Sequence, residues 1–435
     1  MSTRRSVLVV SEHDLAHPAA GERERYVHEV TRRWADGGTR VTWAVTGAPG
    51  REVAGGVERL RFARPSALVA WLLRRAHRFD AVVDATGWPV APLLGRRTPV
   101  VRLEAGSPGT TARRVGRHPA RWGADHRATV VPSPSARHQL RGRPGLRGPV
   151  LVAPPGAPAA TGDGERAPDP LVVVPALGPH LDVLLRDLPR TPRLRVEVLG
   201  DGPDLARWRR VAHEAGVTDV VAFRGRLPDA GRIALLRRAW LLVCAADSEV
   251  SPYGILEAAA HGVPCVGPAG ARDFVREGEV VRSAAELAPA VARHLTRLAD
   301  PAHAEEVARR CRAWAAGFRW DRTARLVAAA VEHEIGAARR DARRRRARFD
   351  IAAVLWLPEG VRVPSGALRV TDEVAGAGVL LNGCDEFDAL GVLERLGIEG
   401  ARVRLATHDD LLLGPCPPVP LTEPTREVDD RVCSH

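Results

Sequence analysis

Short runs of consecutive apolar residues alternate along the chain with stretches in which apolar positions recur every three or four residues. The first kind predicts buried strands and the second predicts helices packed against them. Ser6–Val10 is the first strand; a loop containing Gly21 follows, then a helix from about Arg23 to Trp34, stopped by Gly37 and Gly38. Arg40–Val45, Ala81–Val83, Val100–Leu103, Thr129–Val131 and Val150–Val152 are the next strands. After the Pro-, Gly- and Ala-rich stretch Ala153–Pro170 the alternation resumes. Its strands are Leu171–Val174, Leu194–Leu199, Val220–Phe223, Trp240–Cys244 and Cys265–Val266. Helices are expected between them at about Leu181–Leu188, Asp204–Ala215 and Asp229–Ala239.

Strict alternation of strand and helix predicts parallel, doubly wound sheets. The fold class is therefore α/β, with two Rossmann-like domains facing a cleft and a C-terminal extension. The expected divisions are 1–155 for the first domain, 156–170 for a linker, 171–320 for the second domain, 321–348 for a long basic helix and 349–435 for an acidic tail. In the tail, Phe349–Leu357, Gly378–Leu381 and Arg402–Ala406 read as strands and Phe387–Leu396 as a helix; the Pro-rich end from Pro415 reads as disordered.

Composition sharpens this picture in three ways. The 435 residues are 45% hydrophobic and 27% charged, so the chain is globular, and aromatics at 4% are too few for a protein that binds single strands by stacking. All 64 basic residues are arginine. Any lysine that a mechanism calls for must be replaced by arginine, histidine or a backbone N–H. The net charge of +12 is uneven, with a basic first half and an acidic tail, which points to anionic partners for the first half. No apolar run is long enough for a membrane span or a signal-peptide core, so a cytoplasmic location is expected. The six cysteines form no C-x-x-C pair and read as core or loop residues. No G-x-G-x-x-G follows the first strand, no Walker loop is possible without lysine, and no G-x-S-x-G elbow occurs. Nucleic-acid binding would rest on charge alone and is not expected.

The stretch that carries chemistry is CAADSEVSPYGILEAAAHGVPCVG. A strand ends near Cys244. Ser251 and Pro252 suit an N-cap and first helical residue, and Gly262 and Pro264 end the helix. Glu249 then stands on the loop at the strand's carboxyl end, and Glu257 lies inside the helix, seven residues intervening. A helix N-terminus beside them presents free N–H groups and positive potential, suited to a phosphate. Taken alone the pair is weak, because a helix glutamate is often half of a structural ion pair.

This arrangement resembles the retaining glycosyltransferases of family 4, which have the GT-B fold. The resemblance extends to VEVLGDGPDLARWRRVAHEAGVTDVVAFRGRLPDAGRIALLRRA, to FRW at Phe318–Trp320 and, in the first domain, to AGERERYVHEV, with FDAVVDATGWP and VVPSPSARHQL matching more weakly. It covers about residues 1–345 and not the tail. It implies transfer of a sugar, with retention and without a metal or other cofactor, from a nucleotide-diphosphate sugar to an acceptor hydroxyl. By that resemblance Glu257 would bind the donor's ribose and Glu249 would hold the transferred sugar. Ser251 and Tyr253 would face the diphosphate, while Gly200, Gly202, Gly225 and Gly21 would let backbone approach the donor. Two departures matter. Pro175-Ala176 stands where the family has Gly-Arg, and Pro179-His180 stands near its Lys, so both cations are missing unless His180 or a distant arginine substitutes. The family's first-domain His is replaced by Glu104 or Ala105. These losses leave a second reading open, that of a relative which binds a nucleotide sugar, glycan or partner without turnover. The arginine-rich segment Arg113–Arg147 suggests peripheral contact with an anionic membrane.

Overall fold

The computed structural model describes residues 5–18, 20–86, 88, 90–94, 98–104, 128–141, 148–159, 165–188, 191–202, 204–245, 252–339, 352–361, 368, 373–375 and 378–414. The first domain is built on β1 (Ser6–Val10), β2 (Arg40–Thr46), β3 (Gly50–Ala54), β4 (Val57–Phe62), β5 (Ala81–Asp84), β6 (Val100–Leu103), β7 (Thr129–Val131) and β8 (Val150–Val152). They join in the order β3-β4-β2-β1-β5-β6-β7-β8. All pairs are parallel except β3 with β4, an edge hairpin that the apolar pattern did not announce. Charged residues interrupt its apolar ones and most positions are partly exposed, so tertiary pairing rather than an apolar run makes it a strand.

The second domain has β9 (Leu171–Val174), β10 (Arg195–Leu199), β11 (Val221–Gly225), β12 (Leu241–Val243), β13 (Cys265–Pro268) and β14 (Gly278–Val281). Their order is β11-β10-β9-β12-β13-β14, all parallel, which is the doubly wound topology expected. The sequence reading had missed β14. Gly278 lies at φ +129, where an added Cβ would fall 1.9 Å from the Cys265 carbonyl oxygen. The central strands of both sheets are buried on two faces, which is why β1, β9 and β12 are continuous apolar runs. Val7 and Val9 of β1 enter one core cluster, while Leu8 and Val10 enter the other. Val172 and Val174 of β9 face one layer of helices, and Val173 faces the other.

The chain returns to the first domain through the helix Trp320–Arg339. Ala324, Val327, Ala330 and Val331 pack into the cluster that holds Val7 and Val9. Trp34 Nε1 donates to the Ala324 carbonyl at 2.9 Å, and Thr323 Oγ1 donates to that of Pro154 at 2.6 Å. Gly156 in the linker lies so close that a Cβ would fall 2.4 Å from Trp320 N. Of the expected long basic helix, residues 340–348 lie outside the described residues.

The tail carries a small antiparallel sheet of β15 (Ala352–Trp356), β16 (Glu373–Ala375), β17 (Gly378–Asn382) and β18 (Arg402–Leu405), in the order β16-β17-β15-β18. The helix Glu386–Leu396 packs on it, and a short helix, His408–Leu413, follows. That short helix docks the module onto the two larger domains. Arg322, 3% exposed on the crossover helix, donates to the carbonyls of Asp410, Leu411 and Leu412. Leu412 packs with Ile255, Leu256, Phe274 and Phe318 of the second domain. Cys244, Cys265, Cys311 and Cys384 are buried free thiols. Among the described residues no helix is long and apolar enough to cross a membrane.

Candidate active site

The carboxyl ends of β9, β10, β11 and β12 form the second domain's side of the cleft, where open α/β sheets bind ligands. Gly200 follows β10 at φ +103 and sits 3.3 Å (from its Cβ position) off the Leu177 amide, a close approach that suits glycine. Its N–H donates to the carbonyl of Gly225, which ends β11 at φ +66, so the two predicted glycines meet; Gly202 lies just beyond. His180 caps the helix Leu181–Arg186 and is held through its backbone: its N–H donates to Ala245 O at 3.1 Å. Its carbonyl accepts from Leu184 N at 3.2 Å. Glu249 and Ser251 lie outside the described residues. Gly21 is the N-cap of the helix Glu22–Asp36, at φ −137, a conformation open to any residue, and its N–H donates to Glu24 at 2.8 Å.

Glu257 sits in the helix Pro252–Ala260 and is only 2% exposed. Both of its oxygens accept from Arg232, at 2.6 Å from Nε and 2.8 Å from Nη2, a bidentate fork. The Tyr253 hydroxyl donates to the same carboxylate at 3.3 Å. The Arg232 pKa is held above its ordinary value by the Glu257 hydrogen bonds, against the opposing effect of burial. Burial pushes the Tyr253 phenol up as well. Glu257 is thus half of a buried ion pair. Its carboxylate retains some acceptor capacity, since two oxygens offer about four lone-pair directions, of which the fork engages two and the Tyr253 hydroxyl a third.

Arg232 in turn donates to Asp229 at 2.8 Å, and Asp229 accepts from Arg25 of the first domain at 2.6 and 2.8 Å. Burial alone would raise the Asp229 pKa, but the hydrogen bonds from Arg25 and Arg232 outweigh it and hold it below the usual value. The Arg25 guanidinium also lies 5.1 Å from the centre of the Tyr253 ring. From the same first-domain turn, Glu22 accepts from Gly254 N at 3.0 Å and the Ala20 carbonyl accepts from Arg226 at 3.0 Å. Domain contact at this edge of the cleft is therefore polar and charged.

Sequence reasoning found Glu257 and Tyr253 but missed Arg232, Asp229, Arg25 and Glu22. The last two stand in AGERERYVHEV and the first two in LPDAGRIALL, segments already singled out. Nothing local says that they meet across 204 positions. Among the described residues no group of three or more His, Cys, Asp or Glu side chains could hold a metal ion.

Two facing Rossmann-like domains with a cleft between them define the GT-B fold. Residues 172–300 match the family model described as glycosyl transferases group 1. Sucrose-phosphate synthase from Thermosynechococcus elongatus superposes with a TM-score of 0.61 at 19% identity, over 77% of this chain and 100% of that one. A pneumococcal O-GlcNAc transferase solved with UDP and GlcNAc gives 0.57 at 10% identity, over 77% and 99%. WaaG, a glycosyltransferase involved in lipopolysaccharide biosynthesis, gives 0.53 at 16% identity, over 71% and 95%. A search of curated protein sequences returns no match.

Proposed function

We propose that the protein is a glycosyltransferase that moves a sugar from a nucleotide-diphosphate sugar to an acceptor hydroxyl, with retention and without a metal. The observation that carries this reading is the buried Glu257 carboxylate, on the helix that follows β12 and inside the matched segment 172–300. Glu257 accepts the ribose hydroxyls, and Glu249 holds the transferred sugar. Ser251 and Tyr253, at the start of the helix that carries Glu257, face the diphosphate. The first domain binds the acceptor. Its helix Pro65–Arg75 exposes Leu73 beside Arg74 and Arg75, and the contacting helix Val90–Leu94 exposes Leu93. An apolar surface fringed by arginine suits an acceptor presented at an anionic membrane; most of the segment Arg113–Arg147, on which the sequence bases that expectation, lies outside the described residues. The experiment is a thermal-shift panel of UDP, GDP, ADP and dTDP sugars, followed by nucleoside-diphosphate release with acceptor extracts, in the presence and absence of a chelator. Glu257→Ala is expected to abolish the shift while the protein stays folded; an unchanged shift overturns the assignment.

A second reading is favoured by one observation, the replacement of the family's Gly-Arg and Lys by Pro175-Ala176 and Pro179-His180. It makes the protein a binder of nucleotide sugars. Binding without release over hours, across acceptors, would select it.

A further inference from the structure

The contacts of Arg25, Asp229, Arg232 and Glu257 run in one unbroken line from the first domain to the carboxylate of the second. The end members belong to different domains. Arg25 stands on the helix Glu22–Asp36, and Glu257 on the helix Pro252–Ala260. Between them, Asp229 and Arg232 occupy the first turn of the helix Asp229–Arg238. Asp229 bonds both arginines, and Arg232 bonds both carboxylates. A second arm joins the same ends, since Arg25 lies over the Tyr253 ring and the Tyr253 hydroxyl donates to Glu257.

We propose that this alternating line of charge is a positioning relay, through which the first domain sets the orientation of the Glu257 carboxylate and so the grip on the donor's ribose. The inference rests on the reading of Glu257 as the ribose acceptor. Arg232 is the positioning residue that acts directly. A fork of two parallel N–H···O bonds fixes the plane of a carboxylate as a single-point cation cannot. With the plane fixed, the lone-pair direction of Glu257 that Arg232 and Tyr253 leave open is fixed too. Asp229 holds the Arg232 fork, and Arg25 holds Asp229 only while the first domain is close. When the domains part, Asp229 loses one of its two cations, Arg25 leaves the Tyr253 ring, and the grip loosens. Donor affinity and domain approach are then coupled, and the coupling is reciprocal: a bound ribose favours the approached arrangement.

The test compares ribo- and 2′-deoxyribonucleoside diphosphates, because only the ribose hydroxyls report the Glu257 grip. UDP, GDP and ADP are each paired with the 2′-deoxy form, and the pair giving the largest wild-type response is followed by calorimetry. The wild type is expected to prefer the ribo form by roughly tenfold or more, as hydrogen bonds to a charged acceptor imply. Arg232→Gln is expected to bring that preference to within about twofold. Asp229→Asn and Arg25→Gln, at more exposed positions, should each reduce it partway. Arg33→Gln breaks a different ion pair, to Asp321, and is the control that keeps the full preference. If the wild type shows no ribose preference, the Glu257 reading itself fails, and the relay with it. If the wild type discriminates and the Asp229 and Arg25 variants discriminate equally well, the relay is overturned while the ribose reading stands. Should Arg232→Gln fail to fold, the Asp229 and Arg25 variants decide the matter alone.

Discussion

Replacing Asp84 with asparagine removes a carboxyl that sits at the carboxyl end of β5, 4% exposed. The side chain accepts from Thr86 N at 2.9 Å and from Thr86 Oγ1 at 2.6 Å. Burial pushes its pKa up to about 6 from 3.8, against those hydrogen bonds and Arg102, which favour the charged form. The folded chain therefore keeps this proton to higher pH than the unfolded chain. The native state binds more protons between pH 3.8 and about 6, so the group's contribution to stability falls as pH rises through that window and levels off above it. A shift of about two units corresponds to roughly 3 kcal/mol of penalty for the ionised form, an order-of-magnitude figure. Asparagine keeps an oxygen for the two Thr86 donors and carries no charge. The variant should therefore match the wild type to well within about 1 kcal/mol near pH 4, and exceed it by about 3 kcal/mol at pH 7.5. Hydrogen exchange of the peptide spanning β5 measures this without assuming one global transition. Compared at each pH, the variant-to-wild-type protection ratio should rise by about a hundredfold between the two conditions. A ratio that stays constant refutes the argument.

Two further outcomes test the packing that sets the site. Gly278→Ala puts a methyl group 1.9 Å from a backbone oxygen at φ +129; it should destabilise the second domain by more than about 3 kcal/mol, seen as loss of soluble protein or of its thermal transition. Arg322→Met strips three carbonyls of the His408–Leu413 helix of a buried donor; it should cost about 2 kcal/mol and speed proteolytic release of the tail module, and unchanged cleavage would refute the docking role.

The runs VLVV and LVVV, with the helix patterns between them, were enough to specify parallel sheets whose central strands are buried on both faces. Their periodicity is a local property, and each strand's residues divide between the two core layers by simple alternation. The helix carrying Glu257 and Tyr253 was legible for the same reason: strand end, Pro252, and the Gly262–Pro264 stop lie within some twenty residues. The tail's strands at β15, β17 and β18 and its helix were legible too. What stayed hidden has long-range causes. The β3–β4 hairpin has charged residues among its apolar ones and mostly partly exposed positions, and its edge pairing with β2 makes it a strand. That Gly156 is a packing requirement follows only when Trp320, far along the chain, closes on it. Arg232 and Arg25 were ordinary helix arginines until folding brought them to Glu257 and Asp229. A guanidinium finds its carboxylate through space, over a few ångströms, and the spacing of residues along a chain holds no record of which distant charges will face each other once two sheets have been stacked into a cleft.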